Sequence, residues 1–282
     1  HIVSDRRSPF ACGNRIPVRP DWRIDDAPPA DIVIVPELWL GPDEDIRGRY
    51  EKLLHWICRS YEQGASIYSA CSGAILLAET GLLNGRPATS HWGYERLFQR
   101  RYPEVEFKHE PALQIADKDG RIVTAGGTTS WHDLAIHIIA RHCGPTEAAR
   151  IAKVYLLKTH GEGQLPYAAL VKESPHADSI VRECEALLKE IYLETNAVTR
   201  VVARSRVPER TLKRRFKTAT GLSIIDYVQN LRIERAKQLL ETTKLTVEEI
   251  SVACGYDNVS FFRRLFRNRC GISPADYRRL FG

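Results

Sequence analysis

The sequence predicts two domains of different class: an α/β domain over residues 1–167 and an all-α domain over residues 178–282, joined by a linker at 168–177. Three observations carry this. Short apolar runs alternate with helical patterns in the first half, the rhythm of a parallel sheet covered by helices. Residues 202–227 can be laid on residues 252–277 at a constant offset of fifty, each copy reading as a helix, a turn and a basic second helix. The charge is also split, since residues 178–282 hold 20 Lys and Arg against 13 Asp and Glu, whereas residues 1–177 hold 21 against 22. At 282 residues the chain exceeds the usual size of one core, so two are expected.

In the first domain the strands are I-V-I-V (32–35), S-I-Y-S-A (66–70) and R-I-V-T (121–124). Helical patterns follow over about Arg49 to Tyr61, from Gly73, and up to Arg141. Cys71 falls at a strand-to-helix turn, with Ala70 and Gly73 as the small neighbours a tight elbow requires. A cysteine there lies at a helix start, where free N–H groups favour a thiolate or hold an anion, and the Ser72 N–H is one oxyanion donor. Gly126 and Gly127 end the next parallel strand on the same side, and ligand pockets of doubly wound sheets lie at those carboxyl ends. Cys71, Ser72, His91, Gly126 and Gly127 are the candidate ligand-binding residues. Three readings of Cys71 stand: a pocket residue, a nucleophile served by His91 or His109, and a small buried hydrophobe.

In the second domain the repeat pairs Val202 with Val252, Ala203 with Ala253, Arg214 with Arg264, Phe216 with Phe266, Gly221 with Gly271, Ser223 with Ser273, Asp226 with Asp276 and Tyr227 with Tyr277. In copy one, Val201 to Ala203 supply the apolar side of the first helix, Pro208 opens the second, Leu212 and Phe216 form its stripe, and Gly221 stops it. In copy two, Ile250 and Ala253 pack, Gly255 turns the chain, Asp257 or Asn258 caps, and Phe262 and Phe266 point inward. Ile224 to Leu240 is one helical pattern that joins the copies rigidly.

A basic helix of this width fits the major groove, where each base pair presents its own donor and acceptor pattern. Arg210, Lys213 and Arg214, and then Ser260, Arg263 and Arg264, are the candidates for base edges; Lys217, Arg267 and Arg269 are candidates for phosphates. The alternative for Arg214 and Arg264 is an internal salt bridge. The expected partner of this domain is double-stranded promoter DNA.

The stretches V-A-R-S-R-V-P-E-R-T-L-K-R-R-F-K (202–217) and I-S-V-A-C-G-Y-D-N-V-S-F-F-R-R-L-F-R (250–267), with S-P-A-D-Y-R (273–278) behind the second, closely resemble the AraC/XylS family of transcription regulators. The resemblance implies two recognition helices entering successive major grooves on one face of the duplex. Ser223-Ile224 departs from the usual Ser-Pro. The stretch from Cys71 through G-R-P-A-T-S-H-W (85–92), with D-G-R-I-V-T-A-G-G-T-T-S-W-H-D-L (119–134) and G-E-G-Q-L-P-Y (161–167), resembles the PfpI/ThiJ superfamily, and in particular the GlxA group of AraC-type regulators.

That second resemblance implies a flavodoxin-like fold of the class I glutamine-amidotransferase kind. His1 to Asp5 is similar to its second strand, so the first strand and helix are expected to be absent. Ser72 stands where enzymes of the superfamily often have His, and Pro36-Glu37-Leu38 stands where they have a Gly-Gly oxyanion loop. The expected protein is therefore a regulator and not an enzyme, controlled by an amino-acid-like or quaternary-amine metabolite and acting as a homodimer. The alternative is a cysteine-dependent amidase or glyoxalase-like hydrolase carrying a DNA-binding domain.

Composition narrows the class further. With 43% apolar and 27% charged residues the chain is an ordinary globular one, with no apolar run of membrane-spanning length. The seven cysteines contain no Cys-x-x-Cys pair, and an odd count suits neither a disulfide framework nor a zinc site. Reduced thiols in a cytoplasm are expected, with no cofactor and no metal.

Overall fold

The computed structural model describes residues 1–38, 40–41, 44–171 and 176–282, which divide into two compact units, His1–Leu165 and Pro166–Gly282. In the first, β1 (Val3–Ser4) pairs in parallel with β4 (Trp22–Arg23), and β2 (Phe10–Ala11) pairs antiparallel with β3 (Pro17–Val18). The central sheet contains β5 (Ile32–Val35), β6 (Ser66–Ala70), β9 (Leu113–Ile115) and β10 (Ile122–Ala125) in the order β5-β6-β10-β9. The first three are parallel, whereas β9 runs antiparallel at the edge. A small parallel pair joins β7 (Pro87–Ala88) to β8 (Glu106–Phe107).

Alternation along the strands sets the layers. Val33, Val35, Ile67 and Ile122 face a core with Ile57 of α1 (Glu51–Glu62) and Ile75 to Leu77 of α2 (Gly73–Glu79). Tyr68, Val123 and Ala125 face the opposite side, with Leu134 of α4 (Trp131–Cys143). Helices α3 (Glu95–Arg101) and α5 (Pro145–Val154) complete the unit. The opening residues, read from the sequence as a strand of the main fold, form β1 and bond to β4 instead of the central sheet. Strand β9, additional to the strands expected from the sequence, forms a hairpin with β10 through Asp117, which accepts from the Ile122 N–H at 2.9 Å, and Gly120 at φ 65°.

The second unit is all helical: α6 (Ser179–Ile191), α7 (Ala197–Ser205), α8 (Glu209–Thr220), α9 (Ile224–Thr242), α10 (Val247–Ala253), α11 (Val259–Cys270) and α12 (Pro274–Phe281). The offset of fifty extends to its packing. Leu212 and Phe262, Phe216 and Phe266, and Tyr227 and Tyr277 are all buried. Phe216 meets Tyr227 edge-on at 5.4 Å and 81°, and Phe266 meets Tyr277 at 5.5 Å and 83°. Both second helices end on a left-handed glycine, Gly221 and Gly271, and Ser223 and Ser273 cap α9 and α12 in the same way, accepting from the N–H groups of Asp226 and Asp276.

Helix α9 serves both copies. Its start (Ile224, Tyr227, Val228) lies in the first core with Val181, Cys184 and Leu188 of α6, and its second half (Ile233, Ala236, Leu240) lies in the second. Val181, Cys184 and Leu188 have the same spacing as Ile233, Ala236 and Leu240, so the end of α9 does for copy two what α6 does for copy one. Burial pushes the thiols up, to about 11 for Cys254 and about 12 for Cys270, and leaves both protonated and inert.

Several local expectations are corrected. Ala203 and Ala253 are exposed, and Cys254 occupies the core position expected of Ala253. Pro208 caps α8 instead of opening it, because the helix begins at Glu209. Of the segment read as a linker, residues 172–175 lie outside the described residues. Ala168 and Leu170 are bound to α9, through Lys237 Nζ to the Ala168 carbonyl (2.9 Å) and the Leu170 N–H to Glu234 (2.6 Å).

Candidate nucleic-acid interface and effector site

The basic residues of α8 and α11 are sorted by their neighbours. Arg210, Lys213, Arg214 and Lys217 on α8, and Ser260, Arg263, Arg264 and Arg267 on α11, are exposed. This follows from the helix period, because Leu212 and Phe216, and Phe262 and Phe266, take the inward face. Lys213 pairs with Glu209 at 2.6 Å and Arg263 with Glu248 at 2.5 Å, both on the surface, where such pairs are weak and easily exchanged for phosphate. The Arg264 guanidinium lies 5.7 Å over the Phe261 ring. Neither Arg214 nor Arg264 is in a salt bridge among the described residues.

Arg269 differs from its expected phosphate role. It is bonded to Asp226 at 2.6 Å and to Gln229 at 3.2 Å, and so ties α11 to α9. Arg215 likewise grips Asp178, the cap of α6, through two bonds of 2.8 Å, which hold that carboxyl below the usual carboxylate range. Arg232, unremarked in the sequence, donates from α9 to the carbonyls of Tyr192 (2.7 Å), Gly255 (2.9 Å) and Glu194 (3.0 Å). It locks the end of α6 and the turn of the second copy onto the shared helix.

In the first unit, Cys71 has the left-handed backbone expected at an elbow, with φ 51°. Gly73 is required behind it, since a Cβ there would lie 2.4 Å from the Val35 carbonyl oxygen. The Cys71 thiol is 3% exposed and donates to Glu37 Oε1 at 3.7 Å, so the site has an acidic neighbour. Ser72 is fully buried, and its hydroxyl accepts from the Leu38 N–H at 2.8 Å. Tyr94, next to them, donates to the Leu40 carbonyl at 2.6 Å. Burial pushes its hydroxyl up to about 12.

His91 caps a single turn at Trp92–Tyr94, with Nδ1 accepting from the Gly93 N–H at 3.0 Å, so the neutral ring carries its proton on Nε2. His109 lies 3.5 Å from Glu95 and 3.9 Å from Glu110. Gly126 and Gly127 border a space filled by Gln164, whose Oε1 accepts from the Gly127 N–H at 2.8 Å. A cleft of about 1100 Å³ opens beside the β5 edge, lined among others by Val3, Trp22, Val35, Tyr50, Trp56 and Glu37, the Cys71 partner, whereas Cys71, Ser72, His91, Gly126 and Gly127 do not line it. Among the described residues no group of three His, Cys, Asp or Glu side chains could hold a metal ion, and no helix is long and apolar enough to cross a membrane.

Residues 1–141, half of the chain, match the DJ-1/PfpI family. The chain belongs to that family. In this DJ-1/PfpI member, residues 201–280 also match a helix-turn-helix domain, covering α8 to α11. It is 29% identical over 282 residues to the HTH-type transcriptional regulator CdhR of Pseudomonas aeruginosa, covering 99% of this chain and 81% of that protein. It is 27% identical over 224 residues to the HTH-type transcriptional regulator GlxA of Rhizobium meliloti, covering 78% of this chain and 67% of that one. The DNA-binding domain of AdpA, solved with a target DNA, is 32% identical over 37% of this chain and 94% of its own, with a TM-score of 0.35.

Proposed function

We propose that this DNA-binding transcription regulator is controlled by a small metabolite held in its DJ-1/PfpI unit, at the carboxyl ends of β6 and β10. The observation that carries the reading of the second unit is the pair of exposed basic faces on α8 and α11, each seated on the same buried Phe–Tyr arrangement. Helix α9 is 19 residues long and so spans about 28 Å. Successive major grooves on one face of a duplex are about 34 Å apart, which a strut of that length suits. Arg210, Lys213 and Arg214, with Ser260, Arg263 and Arg264, face base edges, Lys213 and Arg263 once their surface carboxylates are released; Lys217 and Arg267 face phosphates.

Control from the first unit is supported by a family site without the equipment for hydrolysis. The Leu38 N–H, in the loop that would supply an oxyanion donor, is bonded to Ser72, and the Gly127 N–H is bonded to Gln164. Cys71, Ser72, His91, Gly126 and Gly127 then serve as effector contacts, and a homodimer in the cytoplasm places two copies of the paired helices on a promoter.

The test is a thermal-shift screen of amino-acid-like and quaternary-amine metabolites on the full chain, followed by operator affinity with each hit. An effector at a hundred times its Kd adds about 2.7 kcal/mol to the stability of the unit that binds it. The same effector should move DNA affinity by about 5- to 150-fold. A set of metabolites that changes neither quantity contradicts effector control.

A further inference from the structure

Gln164 is 4% exposed, although it lies one residue before the end of the first unit. Its carboxamide is matched at both ends. Oε1 accepts from the Gly127 N–H at 2.8 Å, while Nε2 donates to the carbonyls of Ser90 and Pro111, both at 2.9 Å, and to the Thr89 hydroxyl at 3.2 Å. Three stretches far apart in sequence thus build one niche around one functional group. Gly126 opens it, because a Cβ there would lie 2.3 Å from Gln164 Cδ. The niche adjoins the elbow: the Ser90 hydroxyl donates to the Cys71 carbonyl at 2.6 Å, and a Cβ on Gly127 would lie 3.4 Å from the His91 ring.

The chemistry of the niche is selective. A planar group with one acceptor and an NH2 satisfies the Gly127 N–H and the carbonyls together. A carboxylate would satisfy Gly127 but face carbonyl oxygens where donors are needed, and an ammonium would leave the Gly127 N–H unmatched, each at a desolvation cost. The backbone leading to Gln164 is fastened as well. Gln164 donates its own N–H to the Glu110 carbonyl at 2.7 Å, and His160 is held by Asp133 through its N–H and its ring, both at 2.7 Å. Residues 160–164 therefore form a strap whose last pin is the Gln164 side chain, and Pro166 begins the DNA-binding unit.

We propose that this niche is a carboxamide-binding subsite which Gln164 fills in the absence of effector, and that an effector bearing a primary carboxamide evicts Gln164 and frees the strap ahead of the DNA-binding unit. This rests on effector control by the first unit and adds the group recognised and the residue that transmits it.

Hydrogen exchange on the full chain tests it, with propionamide as the probe and propionate as its isosteric control. The side chain competes from a fastened backbone, at an effective concentration well above millimolar, so the probe is titrated up to ~1 M. In the native chain propionamide is expected to speed exchange over residues 160–165 by about tenfold while Gly127 stays protected. In Gln164→Ala both regions exchange faster, and propionamide restores Gly127 but leaves the strap loose. Propionate does neither, and in the native chain propionamide shifts operator affinity by about fivefold or more. Equal effects of the two probes, a strap that keeps its protection in both proteins, or unchanged operator affinity overturns the proposal. If Gln164→Ala does not fold, the native-chain arm decides alone. A metabolite that controls DNA affinity without loosening the strap would refute this switch and leave effector control standing.

Discussion

Phe266→Ala is expected to destabilise the second helical repeat by about 3 to 5 kcal/mol and to abolish specific DNA binding. The ring is fully buried, packed 6.0 Å from Phe262 and edge-on to Tyr277, and it seats α11 on the rest of its unit. Small helical units are marginal, with a total stability of about 5 to 15 kcal/mol, so this loss releases the helix that carries Arg263, Arg264 and Arg267. Phe266→Leu refills most of the space and should cost less than about 1.5 kcal/mol. Denaturant unfolding followed by circular dichroism, together with operator affinity for each variant, checks the pair. An alanine variant with an unaltered midpoint would show that the repeat is not held by this core.

Arg232→Ala is expected to have the second largest effect, on the order of 2 to 3 kcal/mol. Three carbonyls, those of Tyr192, Glu194 and Gly255, lose a charged donor at once, and the guanidinium also leaves its place 5.2 Å over the Tyr256 ring. The side chain is half-buried, which keeps the cost below the sum of three buried charged bonds. Because it joins the end of α6 and the turn after α10 to the shared helix, its loss loosens one helix-turn-helix unit against the other. DNA affinity should therefore fall more than stability alone explains. Arg232→Lys, with one compact ammonium in place of a planar fork, should recover less than half of the loss. Calorimetry and affinity measured on both variants separate these expectations from a residue that merely decorates the surface, for which both substitutions would be neutral.

How much of this is legible before folding depends on whether a role is local. The duplicated unit was readable because the positions that repeat, Phe216 and Phe266 or Tyr227 and Tyr277, are the ones that pack. Identity misled at Ala203 and Ala253, which repeat and yet are exposed. Arg269 resembled its basic neighbours on α11, and its pairing with Asp226 appears only when α9 is laid alongside. The hairpin of β9 with β10 has a signal in Asp117 to Gly120, a polar turn between two apolar runs, but the first run is too short to stand out as a strand.

The effector site divides in the same way. The elbow at Cys71 was read from its small neighbours, and the left-handed backbone agrees. Glu37 had no signal of its own: only the folded register, which pairs Val35 with Ser69, brings the residues two beyond each, Glu37 and Cys71, level at the strand ends. Gln164 had none. Its partners at positions 89, 90, 111 and 127 are brought to it only by the closed sheet, and a glutamine in a Gly-rich stretch otherwise reads as a solvated loop.

Hydroxyl-radical footprinting of the full chain on an operator selected from random duplexes tests the central claim most directly, with Arg214→Ala and Arg264→Ala beside the native protein. The native chain should protect two tracts about 10 base pairs apart on one face of the duplex. Each variant should lose about 1 to 3 kcal/mol of affinity and weaken protection in its own tract while keeping the other. A single continuous tract, or two variants that bind and protect as the native chain does, would contradict the assignment of α8 and α11 as paired readers of DNA.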